Sequence, residues 1–208
     1  MSTKSITDYI ALLDTAGIEY TRDGPLAPRP TLRIGGNADA GVFPDSENQI
    51  IEAIRDAKKC GARYMVLGNG SNVLFDDAGF RGAVIFTKKL RGVSVDATTL
   101  CAGAGASLLA VTTAARDAGL SGLEFAYGIP GSCGGAVCMN AGAYGGDMAS
   151  VVAEVAVYDS EKDRICRLDA SEMRFAYRKS IVGNGENQVP YAEIVSATLK
   201  GPFIVEKD

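Results

Sequence analysis

The feature that most constrains this chain is its glycine-rich segment Gly128–Gly146, in which seven glycines fall within nineteen residues. Holding so many glycines in one conformation is entropically costly, so a folded protein keeps them where the backbone needs their freedom. The segment also contains packing residues such as Ile129 and Val137, whereas flexible linkers are usually polar. We therefore predict an ordered segment whose bare backbone approaches a flat ligand closely. An isoalloxazine ring fits that description, with Ser132 and Asn140 as side-chain donors.

A second glycine loop, Gly68–Asn72, directly follows the compact apolar run Tyr64–Leu67. Consecutive N–H groups in a glycine turn at a strand end can converge into an anion-binding nest. The loop contains no lysine, so it is not a P-loop of the Walker A kind. It suits a diphosphate held by backbone, although an ordinary tight turn explains this segment alone equally well.

A third candidate, Gly103–Leu108, only partly matches the dinucleotide-binding pattern G-x-G-x-x-G. Leu108 stands where the third glycine should allow close helix–strand packing. We predict a plain turn and the start of a helix here.

Two kinds of side chain outside the glycines attract attention. Arg178 beside Tyr177 offers a carboxylate clamp and a cation for a developing enolate, although a lone arginine is more often a surface ion pair. Cys133 and Cys138 lie within the glycine-rich segment. Buried inert thiols are the preferred interpretation, with a redox or covalent flavin role as the alternative.

Composition removes several classes of function. The 208 residues include no histidine, which excludes His-based acid–base catalysis and His metal ligands, and we expect no metal site. The net charge of -4 without a basic block argues against nucleic acid. No apolar run reaches the roughly 20 residues of a membrane span. The five cysteines are odd in number and form no C-x-x-C pair, which favours a reducing, cytoplasmic location.

Hydrophobic periodicity and turn residues predict a mixed order of elements, and hence an α+β fold. The predicted helices are 5–16, 46–60, 107–118 and 170–175. The predicted strands are 40–43, 64–67, 83–86, 93–96, 99–102, 151–158, 164–168 and 194–199. Residues 24–30 are predicted as an extended linker, and residues 122–149 show neither period.

Taken together, six segments in this order resemble the UDP-N-acetylenolpyruvoylglucosamine reductase family, cytoplasmic flavoenzymes of bacterial peptidoglycan synthesis. They cover nearly the whole chain from about residue 20 to 199, and as a set they are highly specific. The segments are Thr31–Gly36, Leu67–Leu74, Asp77–Gly82, Gly119–Glu124, Gly128–Gly146 and Tyr177–Ser180.

The resemblance implies a two-lobed FAD-binding fold of the vanillyl-alcohol-oxidase type, with lobes at residues 1–87 and 88–208. NADPH reduces the flavin, which passes hydride to the enolpyruvyl double bond of a UDP-sugar. FAD is expected to be non-covalent, because the histidyl linkage of some relatives is impossible here. The cofactor-binding residues so implied are Leu67, Gly68, Asn69, Gly70, Ser71, Asn72, Ile129, Pro130, Gly131, Ser132, Gly134, Gly135, Ala136, Asn140, Ala141 and Gly142.

The resemblance also assigns a catalytic role to Arg178, which stabilises the intermediate and orients the substrate carboxylate. Tyr177 and Tyr144 are expected to line the substrate site with it. The family's chain normally continues into a third, substrate-binding domain that supplies a proton-donating serine and a late glutamate. We expect that domain to be absent from these 208 residues. The alternatives are a non-enzymatic FAD-binding module and a flavin-free structural domain.

Overall fold

The computed structural model describes residues 3–182 and 192–200. The chain divides into two compact units, of which unit 1 runs to Leu90 and unit 2 begins at Arg91. Within the described residues, no helix combines the length and the apolar character needed to cross a bilayer.

Unit 1 combines two helices with a four-stranded sheet. Its elements are α1 (Thr3–Ala16), β1 (Tyr20–Pro25), β2 (Asn37–Val42), α2 (Glu47–Lys59), β3 (Tyr64–Leu67) and β4 (Phe80–Phe86), followed by a 3₁₀ turn at Thr87–Lys89.

The unit 1 sheet has the order β1-β2-β4-β3. β1 is antiparallel to β2, whereas β2 and β3 both run parallel to β4. Val42 pairs with Ile85 and Leu67 with Phe86, so the carboxyl ends of three parallel strands meet at one edge. Ligands of open α/β sheets bind outside this kind of edge.

Helix α2 shows how local sequence fixes an element. The Ser46 hydroxyl accepts a hydrogen bond from the N–H of Gln49, and Ile50 and Ile54 are fully buried against the sheet side of the helix. An N-cap of this kind stabilises a helix by about 1 kcal/mol. The helix ends at Lys59, before Gly61 at φ +64.

Unit 2 is built on antiparallel strands. Its elements are β5 (Val93–Asp96), β6 (Thr99–Gly103), α3 (Leu108–Asp117), a 3₁₀ turn (Glu124–Ala126), α4 (Cys133–Cys138), β7 (Gly142–Ala143), β8 (Gly146–Asp147), a second 3₁₀ turn (Met148–Ser150), β9 (Val152–Asp159), β10 (Arg164–Asp169) and β11 (Ala192–Lys200).

The larger unit 2 sheet has the order β10-β9-β11-β6-β5, and β7 and β8 form a separate small hairpin. One apolar core joins this sheet to α3 and α4 through residues such as Leu108, Val137 and Val155. Buried Met148 and Met173 extend the core beneath the loops that follow α4 and β10.

The predicted α+β class is confirmed, and most predicted elements are present with ends shifted by a few residues. The helix predicted at 170–175 is wrong. Asp169 accepts hydrogen bonds from the N–H groups of Ser171 and Glu172, which starts a turn. Arg174 then takes φ +47 and ends it, because a right-handed helix requires negative φ.

The prediction lacked β1, α4, the two-residue strands β7 and β8, and the 3₁₀ turns. Strand β1 contains Gly24 and Pro25, which normally interrupt strands, yet it pairs with β2 along most of its length. Helix α4 contains Gly134 and Gly135, each costing about 1 kcal/mol relative to alanine in a helix. In both places tertiary packing outweighs local propensity.

Candidate functional site

The Gly68–Asn72 loop lies at the carboxyl edge of the unit 1 sheet, immediately after β3. Gly70 is buried and has φ +67, and a Cβ atom added there would lie 2.9 Å from the Cα of Pro30. The N–H of Thr31 donates to the Gly70 carbonyl at 3.1 Å. The proline-rich segment therefore packs against the loop. Glycine is required at position 70 both by the positive φ and by the close contact with Pro30.

The backbone N–H groups of this loop are the donors that could bind an anion. Within residues 3–182 and 192–200, no carbonyl accepts a hydrogen bond from the N–H of Asn69, Gly70 or Ser71. Leu67 is buried in β3, so its side chain belongs to the core and only its backbone reaches the loop. Uncommitted N–H groups at a tight turn fit a phosphate or diphosphate ligand. The loop therefore fits the diphosphate of FAD.

A cation that sequence reasoning missed lies at the same edge. The guanidinium carbon of Arg29 is 4.9 Å from the ring centre of Phe43 and 5.4 Å from that of Phe86. The two rings stack with centres 5.0 Å apart. No local pattern marks Arg29, because its partners follow β2 and end β4.

Two of the family-like segments interlock in unit 1. The N–H of Gly36 donates to the Asp76 carbonyl at 2.9 Å, and a Cβ on Gly36 would collide with the backbone of Asp77. A Cβ on Gly79 would collide with the backbone of Asn37. These glycines allow two backbone segments to touch, and they need no ligand to explain them.

In unit 2, the glycine-rich segment is joined to the turn that precedes α3. The N–H of Cys133 donates to the Ala106 carbonyl at 2.7 Å and that of Gly134 to the Ala104 carbonyl at 2.9 Å. The N–H of Leu108 donates to the Gly131 carbonyl at 3.0 Å. The predicted plain turn at Gly103–Leu108 is therefore confirmed, and the Ser107 hydroxyl caps α3 by accepting from the N–H of Ala110.

Close packing, and not a ligand, explains two glycines of the predicted cofactor set. A Cβ on Gly134 would lie 2.8 Å from the Cβ of Ala104, and one on Gly142 would lie 2.6 Å from the Gly146 carbonyl oxygen. By contrast, Gly135 is exposed, and Gly128 has open space where its Cβ would be. These two remain available for close approach by another molecule.

The other residues predicted to bind the cofactor in unit 2 also divide into buried and exposed ones. Ser132 is buried, and its hydroxyl oxygen accepts from the N–H of Gly135 at 3.4 Å as the N-cap of α4. Ala136 and Ala141 are core residues, and half-buried Ile129 packs against that core. Pro130 is exposed. Only part of the predicted flavin-lining set therefore reaches a surface of the unit.

The side chain of Asn140 forms hydrogen bonds within unit 2. Its Nδ2 donates to Asp147 Oδ2 and to the Ala176 carbonyl, both at 3.1 Å, and its Oδ1 accepts from the N–H of Ala149 at 2.8 Å. Both amide hydrogens are thus engaged and the side chain is buried. The amide ties the glycine-rich segment to the Tyr177–Arg178 turn, and cofactor binding by Asn140 stays a prediction.

Tyr177 and Arg178 form the tip of that tight turn. The N–H and carbonyl groups of Ala176 and Lys179 pair reciprocally, each bond measuring 3.0 Å. Arg178 has φ +56, a left-handed conformation that costs an L-residue about 1–2 kcal/mol. Both tip side chains are exposed, and the Arg178 guanidinium carbon lies 5.8 Å from the Tyr177 ring centre.

The turn is anchored at its far side as well. The Ser180 hydroxyl donates to the Cys138 carbonyl at 2.7 Å, and the N–H of Ile181 donates to the Met173 carbonyl at 2.8 Å. Ser180 and Asn140 therefore hold a strained, exposed arginine at a fixed place next to the end of α4. Strained conformations held this firmly are typical of functional sites.

Tyr144 lies apart from this turn in the hairpin after β7. It is 95% exposed, has φ +50 and lines an open pocket of about 490 Å³. Phe125 and Glu124 form another part of the pocket wall. The carboxylate of Glu124 accepts from the N–H of Gly122 at 2.7 Å, which fixes its direction.

The buried cysteine of the glycine-rich segment, Cys133, is unreactive at neutral pH. Burial raises the pKa of the Cys133 thiol to about 12, so this group stays protonated at neutral pH and supports the inert interpretation. All five cysteines are free thiols. In the described parts of the chain, no cluster of three or more carboxylate or thiol side chains is arranged to hold a metal ion.

The chain matches a family model and several known proteins. A family model described as FAD binding domain matches residues 38–169. The UDP-N-acetylenolpyruvoylglucosamine reductase of Caldicellulosiruptor bescii is 45% identical over 168 residues, 81% of this chain and 53% of the relative. The enzyme of that name from Streptococcus thermophilus is 43% identical over 169 residues, 81% of this chain and 55% of the relative. The chain spans about half the length of these curated relatives.

Solved structures of flavoenzymes have a similar fold. The UDP-N-acetylenolpyruvylglucosamine reductase of Thermus caldophilus superposes with a TM-score of 0.70 at 32% identity, covering 88% of this chain and 61% of that one. Glucooligosaccharide oxidase from Acremonium strictum, with its 6-S-cysteinyl, 8α-N1-histidyl FAD, has a TM-score of 0.67 at 17% identity, covering 93% and 42%. The predicted FAD-binding fold of the vanillyl-alcohol-oxidase type is confirmed.

Proposed function

Because this chain belongs to the FAD binding domain family, we propose that it is the FAD-binding part of a UDP-N-acetylenolpyruvoylglucosamine reductase. The observation that carries the proposal is the identity of 42–45% to several enzymes of that name across four fifths of the chain. The reaction so proposed is the NADPH-dependent reduction of UDP-N-acetylglucosamine enolpyruvate to UDP-N-acetylmuramate, a step of peptidoglycan precursor synthesis.

We propose that FAD is held without a covalent bond. The chain contains no histidine, and the buried Cys133 thiol is protonated at neutral pH. The free N–H groups of Asn69, Gly70 and Ser71 support diphosphate binding by the unit 1 loop. The exposed backbone of Gly128 and Gly135 supports approach of the flavin to unit 2.

Arg178 is the proposed catalytic residue. Its guanidinium offers a planar, permanently charged fork that matches a carboxylate, and the same charge stabilises the enolate that develops when hydride reaches the neighbouring carbon. The turn holds this cation in a strained backbone conformation, which supports a role for the side chain beyond the turn itself. Tyr177 and Tyr144 are proposed to contact the same substrate.

Bound FAD would supply the redox chemistry, taking two electrons as hydride from NADPH and returning them to the carbon–carbon double bond. The chain's own residues bind the diphosphate, present a flat glycine surface and place one cation. We propose a cytoplasmic location, which the five free cysteines support.

A visible spectrum of the purified 208-residue chain after addition of FAD and desalting tests cofactor binding. Retained flavin bands are expected, whereas a colourless protein that also fails to quench free FAD fluorescence contradicts the proposal. NADPH oxidation with and without the enolpyruvyl UDP-sugar then tests the reaction. Flavin retention with substrate-independent oxidation alone would instead indicate a non-enzymatic FAD-binding module.

A further inference from the structure

The carboxyl edge of the unit 1 sheet concentrates ligand-binding groups beyond the glycine loop. Phe43 follows the last residue of β2, Phe86 ends β4, and Gly68 follows Leu67 of β3. Because Val42 pairs with Ile85 and Leu67 with Phe86, these three positions lie side by side at strand ends. Neighbouring strands are about 4.8 Å apart, so the edge is compact.

Arg29 is fixed at this edge by its chain neighbours and by its aromatic partners. Pro28 and Pro30 flank it, and the residue before a proline is restricted to extended backbone. Its N–H donates to the Leu26 carbonyl at 2.8 Å. Its guanidinium lies over the stacked Phe43 and Phe86 rings, so the side chain is pre-organised before any ligand binds.

No carboxylate of the described residues neutralises the charge of Arg29 by an ion pair, and the side chain is only half-buried. Arg81, in contrast, is paired with Asp39 at 2.8 Å in the same unit. The Gly68–Asn72 loop itself contains no cation. An unpaired arginine next to such a loop has the chemistry to neutralise a bound phosphate.

A buried hydroxyl without a hydrogen-bond partner in the described residues follows β4 directly. Thr87 follows Phe86 directly, is 3% exposed, and its Oγ1 has no hydrogen-bond partner within the described part of the chain. Leaving a buried hydroxyl unsatisfied costs about 1–3 kcal/mol, so such groups usually meet a ligand or water.

We propose that Arg29 is the cationic diphosphate-binding residue of unit 1, supplying the charge that the lysine-free Gly68–Asn72 loop lacks. This inference rests on the proposed FAD binding and adds a residue that neither the glycine motif nor the family-like segments contain. Arg29 acts by binding the diphosphate and takes no part in hydride transfer.

The test compares dissociation constants of FAD and riboflavin, which lacks phosphate, for the wild-type chain and three variants. Arg29→Gln is expected to weaken FAD binding about 10- to 100-fold, as expected for losing a hydrogen bond to a charged group. Riboflavin binding should not change. Arg29→Lys should recover part of the loss, because lysine keeps the charge but not the fork. A flatter salt dependence of FAD binding in Arg29→Gln should accompany the loss.

Arg63→Gln is the matched control. Arg63 also lies over a phenylalanine, at 4.5 Å from the Phe80 ring centre, but it precedes β3 and therefore lies at the opposite end of the sheet. It should leave FAD affinity unchanged. Circular dichroism and thermal melting of the apo-proteins verify folding.

The outcomes separate the two proposals. If the wild-type chain binds no FAD, the proposed function fails and this inference with it. If the wild type binds FAD and Arg29→Gln binds it equally well, only this inference is overturned. Equal weakening of FAD and riboflavin by Arg29→Gln also overturns it, because the arginine would then merely support the fold.

Discussion

The Gly68–Asn72 loop of unit 1 and the Gly128–Gly146 segment of unit 2 are both rich in glycine, but they use it for different purposes. In the first, the N–H groups of Asn69, Gly70 and Ser71 point to no acceptor among the described residues. In the second, the N–H groups of Cys133 and Gly134 donate to Ala106 and Ala104. The first region has backbone donors without acceptors among the described residues, whereas the second uses its backbone donors in hydrogen bonds within unit 2.

The comparison shows that a position can require glycine for two different structural reasons. Composition alone does not distinguish them. Gly70 combines a positive φ and close packing against Pro30 with backbone donors that have no acceptor among the described residues, and this last property is what supports a ligand site there. A glycine required because another backbone lies where Cβ would be marks close packing, as at Gly134 and Gly142. The number of glycines in a segment therefore overstates how much of it meets the cofactor.

The largest effect is expected from Gly134→Ala. The new Cβ would lie 2.8 Å from the Cβ of Ala104 inside a packed core, and such overpacking typically costs about 1–3 kcal/mol. Urea unfolding should show a lower midpoint at unchanged slope. The adjacent Gly135→Ala is the control, because Gly135 is exposed and only the Ser132 hydroxyl lies near its Cβ. A Gly134→Ala protein as stable as Gly135→Ala would contradict the packing explanation.

Gly70→Ala should reduce both stability and FAD affinity. The substitution combines a φ of +67 with a contact of 2.9 Å to Pro30, and we expect a loss of about 1–3 kcal/mol. Gly61→Ala shares a φ of +64 but meets no atom within 4 Å, so it isolates the conformational cost of about 1 kcal/mol. Flavin titration of both variants completes the comparison. FAD affinity lost equally in the two would argue against a diphosphate loop at Gly70.

Arg178→Gly is expected to separate function from stability. Glycine tolerates φ +56, so the free energy of unfolding should stay constant or rise by up to about 1 kcal/mol, while affinity for the enolpyruvyl carboxylate should fall. Arg174→Gly, with φ +47 on the same loop, should have the same effect on stability without the loss of affinity. Differential scanning calorimetry and substrate-induced changes in the flavin spectrum provide the two measurements. Equal substrate affinity in both variants would remove Arg178 from the proposed site.

The smallest expected effect is a difference in thiol reactivity. Because burial raises the pKa of Cys133 to about 12, its thiolate is scarce at pH 8, whereas exposed Cys101 is accessible to reagents. Mass spectrometry after brief alkylation of the native chain should find Cys101 modified and Cys133 unmodified. The reactive thiolate form gains population only as the pH rises toward 12. Rapid labelling of Cys133 at pH 8 would mean that the glycine-rich segment opens in solution.

Sequence reasoning located the elements and both glycine segments because their signals are local. Ser46 and Ser107 cap helices as their position before an apolar periodic run predicts. It failed at α4, where two glycines conceal a helix that packs against Ala104. It also did not predict the hydrogen bonds of Asn140 to Asp147 and Ala176, because no local pattern near position 140 indicates them.

The sequence by itself determined the α+β class, the absence of histidine chemistry and the family to which these motifs belong, because each depends on residue identity and short spacing. The tertiary structure decided which glycines leave backbone donors free and which admit a neighbouring chain segment. It also decided that Arg29 lies over Phe43 and Phe86, three residues brought together by parallel strand pairing. Those facts depend on contacts between distant segments, which only the register of the sheet and the packing of the core establish.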